Sequence, residues 1–229
     1  MENWPTPVVL AIAGCLGGIV LGLAARLARF CTLSAIEDAM FGHDLRRLRM
    51  WALALGVAIL GVTVLAETGT VDFSQTLYHR LTLNPLAWVL GGLMFGAGMA
   101  LCGTCGYGTL ARVGGGDLRA LFGFLVIGIA AYMAIAGPTA QLRVWLIDPL
   151  AIGGAFSART FIQWIGSDVI DAHLVEIAVP SVAAALLLAW SLGDGTFRRS
   201  KKHVFWGVMV GLAIVSGWAS TGWLARDPF

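Results

Sequence analysis

The sequence predicts an all-α, polytopic membrane protein with about six transmembrane helices, short re-entrant half-helices and an internal repeat. Of its 229 residues, 58% are hydrophobic and only 12% are charged, and the mean hydropathy is +0.82. A soluble domain carries about 25% charged residues, which keep its surface in water. Apolar runs close to the ~20 residues that cross a bilayer recur along the whole chain. We therefore expect the lipid bilayer to surround one transmembrane domain over residues 1–229.

Breaks at proline, glycine and charged residues divide the apolar sequence into six runs. The predicted spans are residues 8–29, 50–66, 86–103, 119–137, 173–192 and 204–224. Of the 15 Lys and Arg residues, four fall on one side of this topology, which leaves 11 on the other; the four are Arg80, Arg143, Arg159 and Arg226. Basic loops stay in the cytoplasm, so residues 30–49, 104–118 and 193–203 are predicted to be cytoplasmic. Both termini, including the N-terminus, are then predicted to face outward.

The segment between spans four and five is interrupted too often to cross the membrane. Pro138, Asp148 and Arg159 lie within it, together with several glycines. We predict an outward-facing loop over residues 138–172, with a short interfacial helix at 157–166, before the two further spans of residues 173–229. Its tryptophans fit the headgroup level, although packing between helices is an equal alternative.

Several classes of partner and cofactor are not expected. Basic residues do not interleave with exposed aromatics, so nucleic acid is excluded as a partner. The first apolar run lacks a basic leader and a cleavage site, so it is predicted to be a retained helix. The cysteines lie in or beside apolar runs, which fits neither a secreted disulfide framework nor a zinc site. The four histidines are scattered, and we predict no metal, no cofactor and no enzyme activity.

An internal repeat is the most informative feature of the sequence. Residues 17–22 match residues 91–96 at an offset of 74, and the same offset takes Cys31 onto Cys105. After one gap, the Asp-Leu-Arg that begins at Asp44 matches the one at Asp117. The repeat units cover roughly residues 8–66 and 86–137. Because the predicted topology gives both units the same orientation, we expect an axis along the membrane normal to relate them.

Each unit contains a stretch that is too short to cross the bilayer, at residues 31–41 and 105–114. We predict half-helices or re-entrant loops there, and in transporters such breaks mark the substrate site. Glycines around the second cysteine interrupt the helix and let backbone N–H groups approach a ligand. The candidate pathway residues are Cys31, Cys102, Gly103, Cys105, Gly106, Gly108 and Thr109.

Two other patterns have simpler interpretations. Glycines spaced four apart on spans one and three predict close helix packing; they are Gly14, Gly18, Gly22, Gly92 and Gly96. Cys102 and Cys105 form a Cys-x-x-Cys, which admits a redox pair. However, no thioredoxin-like context surrounds it, and the repeat places Cys102 opposite Ala28.

These paired motifs resemble the YeeE/YedE sulfur-transport family of bacteria. The matching pieces are Gly22-x7-Phe30-Cys31 leading to Asp44-Leu45-Arg46-Arg47, and Gly91-Gly92-x3-Gly96-x8-Cys105-x3-Thr109-Leu110. The resemblance implies a permease of the bacterial inner membrane that passes thiosulfate or a similar small sulfur anion between cysteine thiols near the membrane middle. A small cytoplasmic sulfur-carrier protein is a candidate partner.

The resemblance also leaves alternatives. Longer family members continue into a further glycine-cysteine unit with a third pathway cysteine, and we expect that C-terminal part to be lacking here. The same cysteines could pass another sulfur or selenium species. A membrane thiol redox enzyme that uses Cys102 and Cys105 is an alternative of a different class, and a noncatalytic scaffold is a third.

Overall fold

A computed structural model describes residues 6–71, 82–150, 152–155 and 172–224. Its helices in these ranges are α1 Thr6–Leu27, α2 Thr32–Met40, α3 Arg46–Glu67, α4 Pro85–Cys102, α5 Gly106–Gly114, α6 Leu118–Ala136, α7 Pro138–Leu146, α8 Ala172–Leu192, α9 Gly195–Arg199 and α10 Lys201–Leu224. The described part of the chain contains six helical segments that are long and apolar enough to cross a membrane. The predicted all-α, six-span fold is therefore confirmed.

The ends of the spans differ from the prediction in a systematic way. Helix α3 begins at Arg46, where the apolar pattern predicted a start at residue 50. Helix α10 begins at Lys201, where the prediction was residue 204. Both added turns are basic, and a helix continues past the hydrocarbon boundary because its backbone hydrogen bonds remain favourable there. Hydropathy locates the apolar part of a helix and not the polar turn at its end.

The described residues form two compact units. Unit one comprises residues 6–71 and 172–224, which include α1 to α3 and α8 to α10. Within it, α3 is the central helix, because it packs against α2, α8 and α10, while α1 packs against α10. Small buried side chains on α3, including Ala52, Ala54 and Ala58, let its neighbours approach closely, which is how helices associate where lipid competes for apolar surface.

Polar contacts fix the N-terminal end of α3 against the C-terminal end of α8. The Arg49 guanidinium donates to the Trp190 carbonyl at 2.7 Å and lies over the Trp190 ring at 5.1 Å. The hydroxyl of Ser191, which is fully buried, donates to the Arg49 carbonyl at 2.8 Å. Asp194 lies 4.0 Å from the same guanidinium. The bond from Arg49 satisfies the Trp190 carbonyl, which lies in the last turn of α8 and would otherwise be orphaned.

Unit two comprises residues 82–150 and 152–155. Helix α6 packs against both α5 and α7. A short antiparallel pair, β1 at Thr82–Leu83 and β2 at Ile152–Ala155, was not predicted from the sequence. The side chain of Asn84 caps α4 by accepting from the Ala87 N–H at 3.1 Å, and it donates to the Ile147 carbonyl at 2.7 Å.

The segment after α6 begins with a helix that the sequence did not predict. Proline occupies the first turn of α7, where its missing N–H costs no hydrogen bond. With nine residues, α7 is about 14 Å long, too short to cross the bilayer. The predicted interfacial helix at residues 157–166 lies outside the described residues.

The glycines that meet neighbouring helices are not the ones that the spacing predicted. A Cβ on Gly211 of α10 would lie 2.7 Å from Val57 of α3, and one on Gly56 would lie 2.8 Å from Leu188 of α8. In contrast, a Cβ at any glycine of the predicted ridges would meet no described atom within 4 Å; these are Gly14, Gly18, Gly22, Gly92 and Gly96. The prediction of close packing at those ridges is therefore not met within the described residues.

Candidate functional site

The two short helices correspond residue for residue under the offset of 74. Helix α2 is Thr32–Met40 and helix α5 is Gly106–Gly114, so both their first and their last residues differ by 74. Each begins directly after a cysteine, and Cys31 and Cys105 are the N-cap residues with extended backbones. A nine-residue helix is about 14 Å long, so neither crosses the bilayer by itself.

The chain passes from each long helix into the short helix through a left-handed residue. Arg29 has φ 53° and Gly103 has φ 65°, and these two positions also differ by 74. Glycine adopts this conformation freely, whereas arginine does so at a cost of about 1–2 kcal/mol. The break therefore occurs at the same point of each unit even where the sequence does not provide a glycine.

The repeat continues through the end of each short helix. The Asp44 N–H donates to the Asp38 carbonyl at 3.0 Å, and the Asp117 N–H donates to the Arg112 carbonyl at 3.1 Å. Positions 38 and 112 differ by 74, whereas 44 and 117 differ by 73, so the gap falls inside this turn. The residue before each aspartate is left-handed, with φ 51° at position 43 and 90° at position 116. The two turns thus share the same hydrogen bond and the same left-handed residue.

Both aspartates then start the next span in the same way. The carboxylate of Asp44 accepts from the Arg46 N–H at 3.0 Å, and that of Asp117 accepts from the Arg119 N–H at 3.0 Å. An anionic side chain at a helix N-terminus satisfies orphan donors and favours the helix dipole. The Asp-Leu-Arg motif is therefore explained by helix initiation.

In the first repeat unit, the charged side chains around this turn also pair with one another. The Arg46 guanidinium donates to the Asp44 carboxylate at 2.7–3.0 Å, and these hydrogen bonds lower the Asp44 pKa to about 2. Arg47 lies 3.1 Å from Asp38 of α2. The ion pair ties the short helix that follows Cys31 to the start of α3.

Cys105 lies in a compact set of hydrogen bonds at the start of α5. Its side chain is buried, and its Sγ accepts from the Gly108 N–H at 3.4 Å. The buried hydroxyl of Thr109 donates to the Cys105 carbonyl at 3.0 Å, as does the hydroxyl of Thr104 at 3.2 Å. Four of the predicted site residues, Cys105, Gly106, Gly108 and Thr109, thus belong to one helix N-terminus, while Gly103 is the C-cap of α4.

The helix N-terminus gives this site its chemistry. The first N–H groups of an α-helix have no partner within the helix, and the aligned peptide dipoles place partial positive charge there. Gly106 has open space where a side chain would stand, so the backbone beside Cys105 is accessible. Such a site favours a small anion, and the thiol adds a soft, polarizable contact.

The other cysteines differ from Cys105 in their surroundings. Cys31 is half-buried, and its side chain does not cap α2. Cys102 is the last residue of α4 and is exposed, as is Cys15 on α1. All four cysteines are free thiols. Cys102 thus stands outside the hydrogen bonds that hold Cys105.

One residue that packs on Phe30, directly before Cys31, was not predicted from the sequence. The ring of Trp51, on α3, stacks on Phe30 with centroids 4.3 Å apart. Its indole N–H is buried and has no hydrogen-bond partner among the described residues. Nothing in the sequence distinguishes Trp51 from the other eight tryptophans, because the unpaired donor depends on three-dimensional packing.

Comparison with known proteins gives a consistent result. The family described as Sulphur transport matches residues 27–228, in agreement with the resemblance drawn from the repeat. A thiosulfate transporter, TsuA, of Spirochaeta thermophila is 26% identical over 208 residues, covering 89% of this chain and 61% of that protein. The thiosulfate transporter TsuA of Escherichia coli K12 is 28% identical over 121 residues, covering 52% of this chain and 33% of that protein.

The match covers most of this chain but a smaller share of the Spirochaeta relative. The chain spans about 61% of the length of the Spirochaeta relative. Both relatives carry names that describe transporters and not enzymes, as the sequence predicted for this chain.

Proposed function

This chain belongs to the sulphur-transport family, and on that premise we propose that it is a membrane permease for thiosulfate or a closely related small sulfur anion. The observation that carries the proposal is the family match over residues 27–228, which contains both cap cysteines and the short helices that follow them. Two relatives named as thiosulfate transporters support this choice of substrate.

Helix α5 provides the proposed contact in unit two. A dianion beside Cys105 would accept hydrogen bonds from the first backbone N–H groups of α5, and the helix dipole would favour its charge. The thiol S–H is a weak donor that would meet a sulfur or oxygen atom of the anion. Because each contact is weak, the anion can leave again, which a transport site requires.

Helix α2 provides the matching contact in unit one. Cys31 occupies the same N-cap position as Cys105, and its thiol is not engaged in capping its own helix. In the proposed route the anion contacts each cap cysteine during its passage, without forming a covalent bond. The six candidate spans agree with a multi-pass protein, and we propose the bacterial inner membrane as its location, with the N-terminus outward.

The proposed direction of transport is inward, toward the basic loops. A small cytoplasmic sulfur-carrier protein is the proposed acceptor on that side. The Arg46–Asp44 and Arg47–Asp38 pairs lie in the loop that the distribution of basic residues assigns to the cytoplasm.

The proposal is tested by uptake of radiolabelled thiosulfate in bacterial cells that lack their own thiosulfate and sulfate importers. Cells that express this chain should take up label saturably, and unlabelled thiosulfate should compete while chloride should not. The same cells should grow on thiosulfate as sole sulfur source. Uptake no greater than in vector cells, with the protein detected in the membrane fraction, would contradict the proposal.

A further inference from the structure

Two buried side-chain nitrogens have no hydrogen-bond partner among the described residues: the indole nitrogen of Trp51 and the Nε of Arg49. Buried polar groups in native proteins are nearly always paired, so each such group requires an explanation. In hydrocarbon the requirement is stricter, because no bulk water reaches the group.

The Arg49 nitrogen is explained by its surroundings. The same guanidinium donates to the Trp190 carbonyl, lies over the Trp190 ring and has Asp194 at 4.0 Å from its Nε. Residues two apart on a helix point in different directions, so Trp51 does not share these partners. The indole N–H of Trp51, in contrast, has no hydrogen-bond partner among the described residues.

The Trp51 ring lies against the residue that precedes the first cap cysteine. It stacks on Phe30 with centroids 4.3 Å apart and planes 29° apart. Phe30 is buried and directly precedes Cys31 in the chain. The stack therefore packs the indole on the residue that leads into α2, where the Cys31 thiol does not cap the helix.

The two repeat units supply donors in different ways. In unit two, the cap cysteine is flanked by the Gly108 N–H and the Thr109 hydroxyl. At an offset of 74, Thr109 corresponds to Ala35, so unit one lacks that hydroxyl. At an offset of 73, Trp51 corresponds to Phe124, so unit two lacks the indole. The Thr109 hydroxyl and the Trp51 indole are thus donors that occur in one unit and not at the matching position of the other.

We propose that the indole N–H of Trp51 donates a hydrogen bond to the transported anion while the anion is beside Cys31. The inference rests on the proposed function and adds a substrate-contacting residue to it. An indole nitrogen only donates and carries no charge. It therefore fits an anion rich in acceptor atoms and contributes nothing to the binding of a cation.

The direct test is the kinetics of thiosulfate uptake by the full chain with Trp51→Phe. Phenylalanine keeps an aromatic ring for the stack on Phe30 but removes the N–H, and it is the residue at the corresponding position of unit two. A hydrogen bond to an anion is strong enough that its loss should raise the KM for thiosulfate about tenfold or more. The matched control is Trp206→Phe on α10, a half-buried tryptophan outside this pair, which should keep the wild-type KM.

The outcomes separate this inference from the proposed function. Wild-type uptake with an unchanged KM in Trp51→Phe would overturn the role of Trp51 and leave the permease intact. Absence of wild-type uptake would instead contradict the permease.

A second measurement uses the wild-type Trp51, so it does not depend on whether a Trp51 variant folds. In 15N-tryptophan-labelled wild-type protein, the Trp51 indole resonance is assigned by elimination, using phenylalanine variants of the other eight of the nine tryptophans. Thiosulfate should move the Trp51 indole proton saturably, while the same concentration of chloride should not. An indole resonance that is unaffected by saturating thiosulfate would overturn the proposal.

Discussion

At the scale of single residues, the proposed anion contact of Cys105 depends on the hydrogen bonds that hold this residue at the start of α5. The Cys105 carbonyl accepts from the Thr109 N–H, the Thr109 hydroxyl and the Thr104 hydroxyl at 2.9, 3.0 and 3.2 Å. Such crowding of donors fixes the plane of the peptide that follows the cysteine. The thiol is thereby positioned by backbone and hydroxyl groups, with no charged side chain among these bonds.

Thr109→Val tests this positioning. Valine has nearly the same shape, but it removes the hydroxyl, and the lost bond should destabilise the fold by about 1 kcal/mol. The rate of thiosulfate uptake should fall as well, because the cap of α5 becomes less well ordered. Thr63→Val is the matched control, since the Thr63 hydroxyl makes the same type of bond to the Ile59 carbonyl in α3 at 2.9 Å. It should cost similar stability, measured by thermal unfolding in detergent, and leave uptake unchanged; equal losses of uptake would refute a specific role for Thr109.

Asp44→Asn tests the charge pair with Arg46 through its pH dependence. The pKa of Asp44 is about 2 in the folded protein and about 3.9 when unfolded. The ionised carboxylate therefore stabilises the fold above about pH 4, and this contribution disappears as the pH falls through 2. Because the side chain is partly exposed, we expect only about 0.2–1 kcal/mol. Thermal unfolding should show a wild-type advantage at pH 7 that shrinks by pH 3, whereas a difference independent of pH would contradict the account.

The candidate residues were predictable to the extent that they follow from sequence periodicity. The offset of 74 selected Cys31 and Cys105, and the structure gives both the same N-cap position. Trp51 was not predictable, because its significance depends on burial of one nitrogen atom and on the stack with Phe30. Neither property has a signature in a single sequence.

At the scale of helices, packing around α3 determines which glycines are required. Gly211 faces α3 so closely that an added Cβ would lie 2.7 Å from Val57 and 2.9 Å from the Ala54 carbonyl. The backbone carbonyl cannot move aside as a flexible side chain could. The small-residue spacing on α1, by contrast, has no close neighbour among the described residues.

Gly211→Ala and Gly18→Ala should therefore change stability in opposite directions. Overpacking at position 211 should outweigh the gain in helix propensity and destabilise the fold by about 1–2 kcal/mol. At position 18 an added methyl group meets no described atom within 4 Å. Only the higher helix propensity of alanine then acts, and we expect a stabilisation of about 0.5–1 kcal/mol. Thermal unfolding in detergent measures both. A destabilised Gly18→Ala would show that the α1 ridge is in close contact after all.

Helix positions were predictable where hydropathy alone determines them. The six apolar runs became six long helices, and the short runs after each cap cysteine became α2 and α5. The choice of contact glycines was not predictable, since a spacing of four occurs on every face of a glycine-rich helix. The strand pair β1–β2 was also missed, because pairs of two to four residues leave no periodic signal.

At the scale of the whole molecule, the topology is a prediction from the distribution of basic residues. Eleven of the 15 Lys and Arg residues lie between spans one and two, three and four, or five and six, or at the span ends that adjoin these loops; the other four of the 15 lie elsewhere. The positive-inside rule then makes the α9–α10 connection cytoplasmic and the α7 segment external.

Cysteine labelling in intact cells tests that topology. A membrane-impermeant thiol reagent should not label Ser200→Cys, at the α9–α10 connection, beyond the background of the native cysteines. Gln141→Cys on α7 is exposed and should label, which provides the matched external control. Strong labelling at position 200 would reverse the orientation.

The central claim is that the cap cysteines of the two repeat units contact the transported sulfur anion. Uptake of radiolabelled thiosulfate by cells expressing Cys31→Ser, Cys105→Ser or Cys102→Ser tests it most directly, because serine nearly preserves size but replaces polarizable sulfur with a hydrated hydroxyl. Uptake should collapse in the Cys31 and Cys105 variants and largely survive in the Cys102 variant, at equal protein levels in the membrane. Equal loss at Cys102 and Cys105 would instead favour a redox pair, and wild-type uptake in both cap variants would contradict the claim.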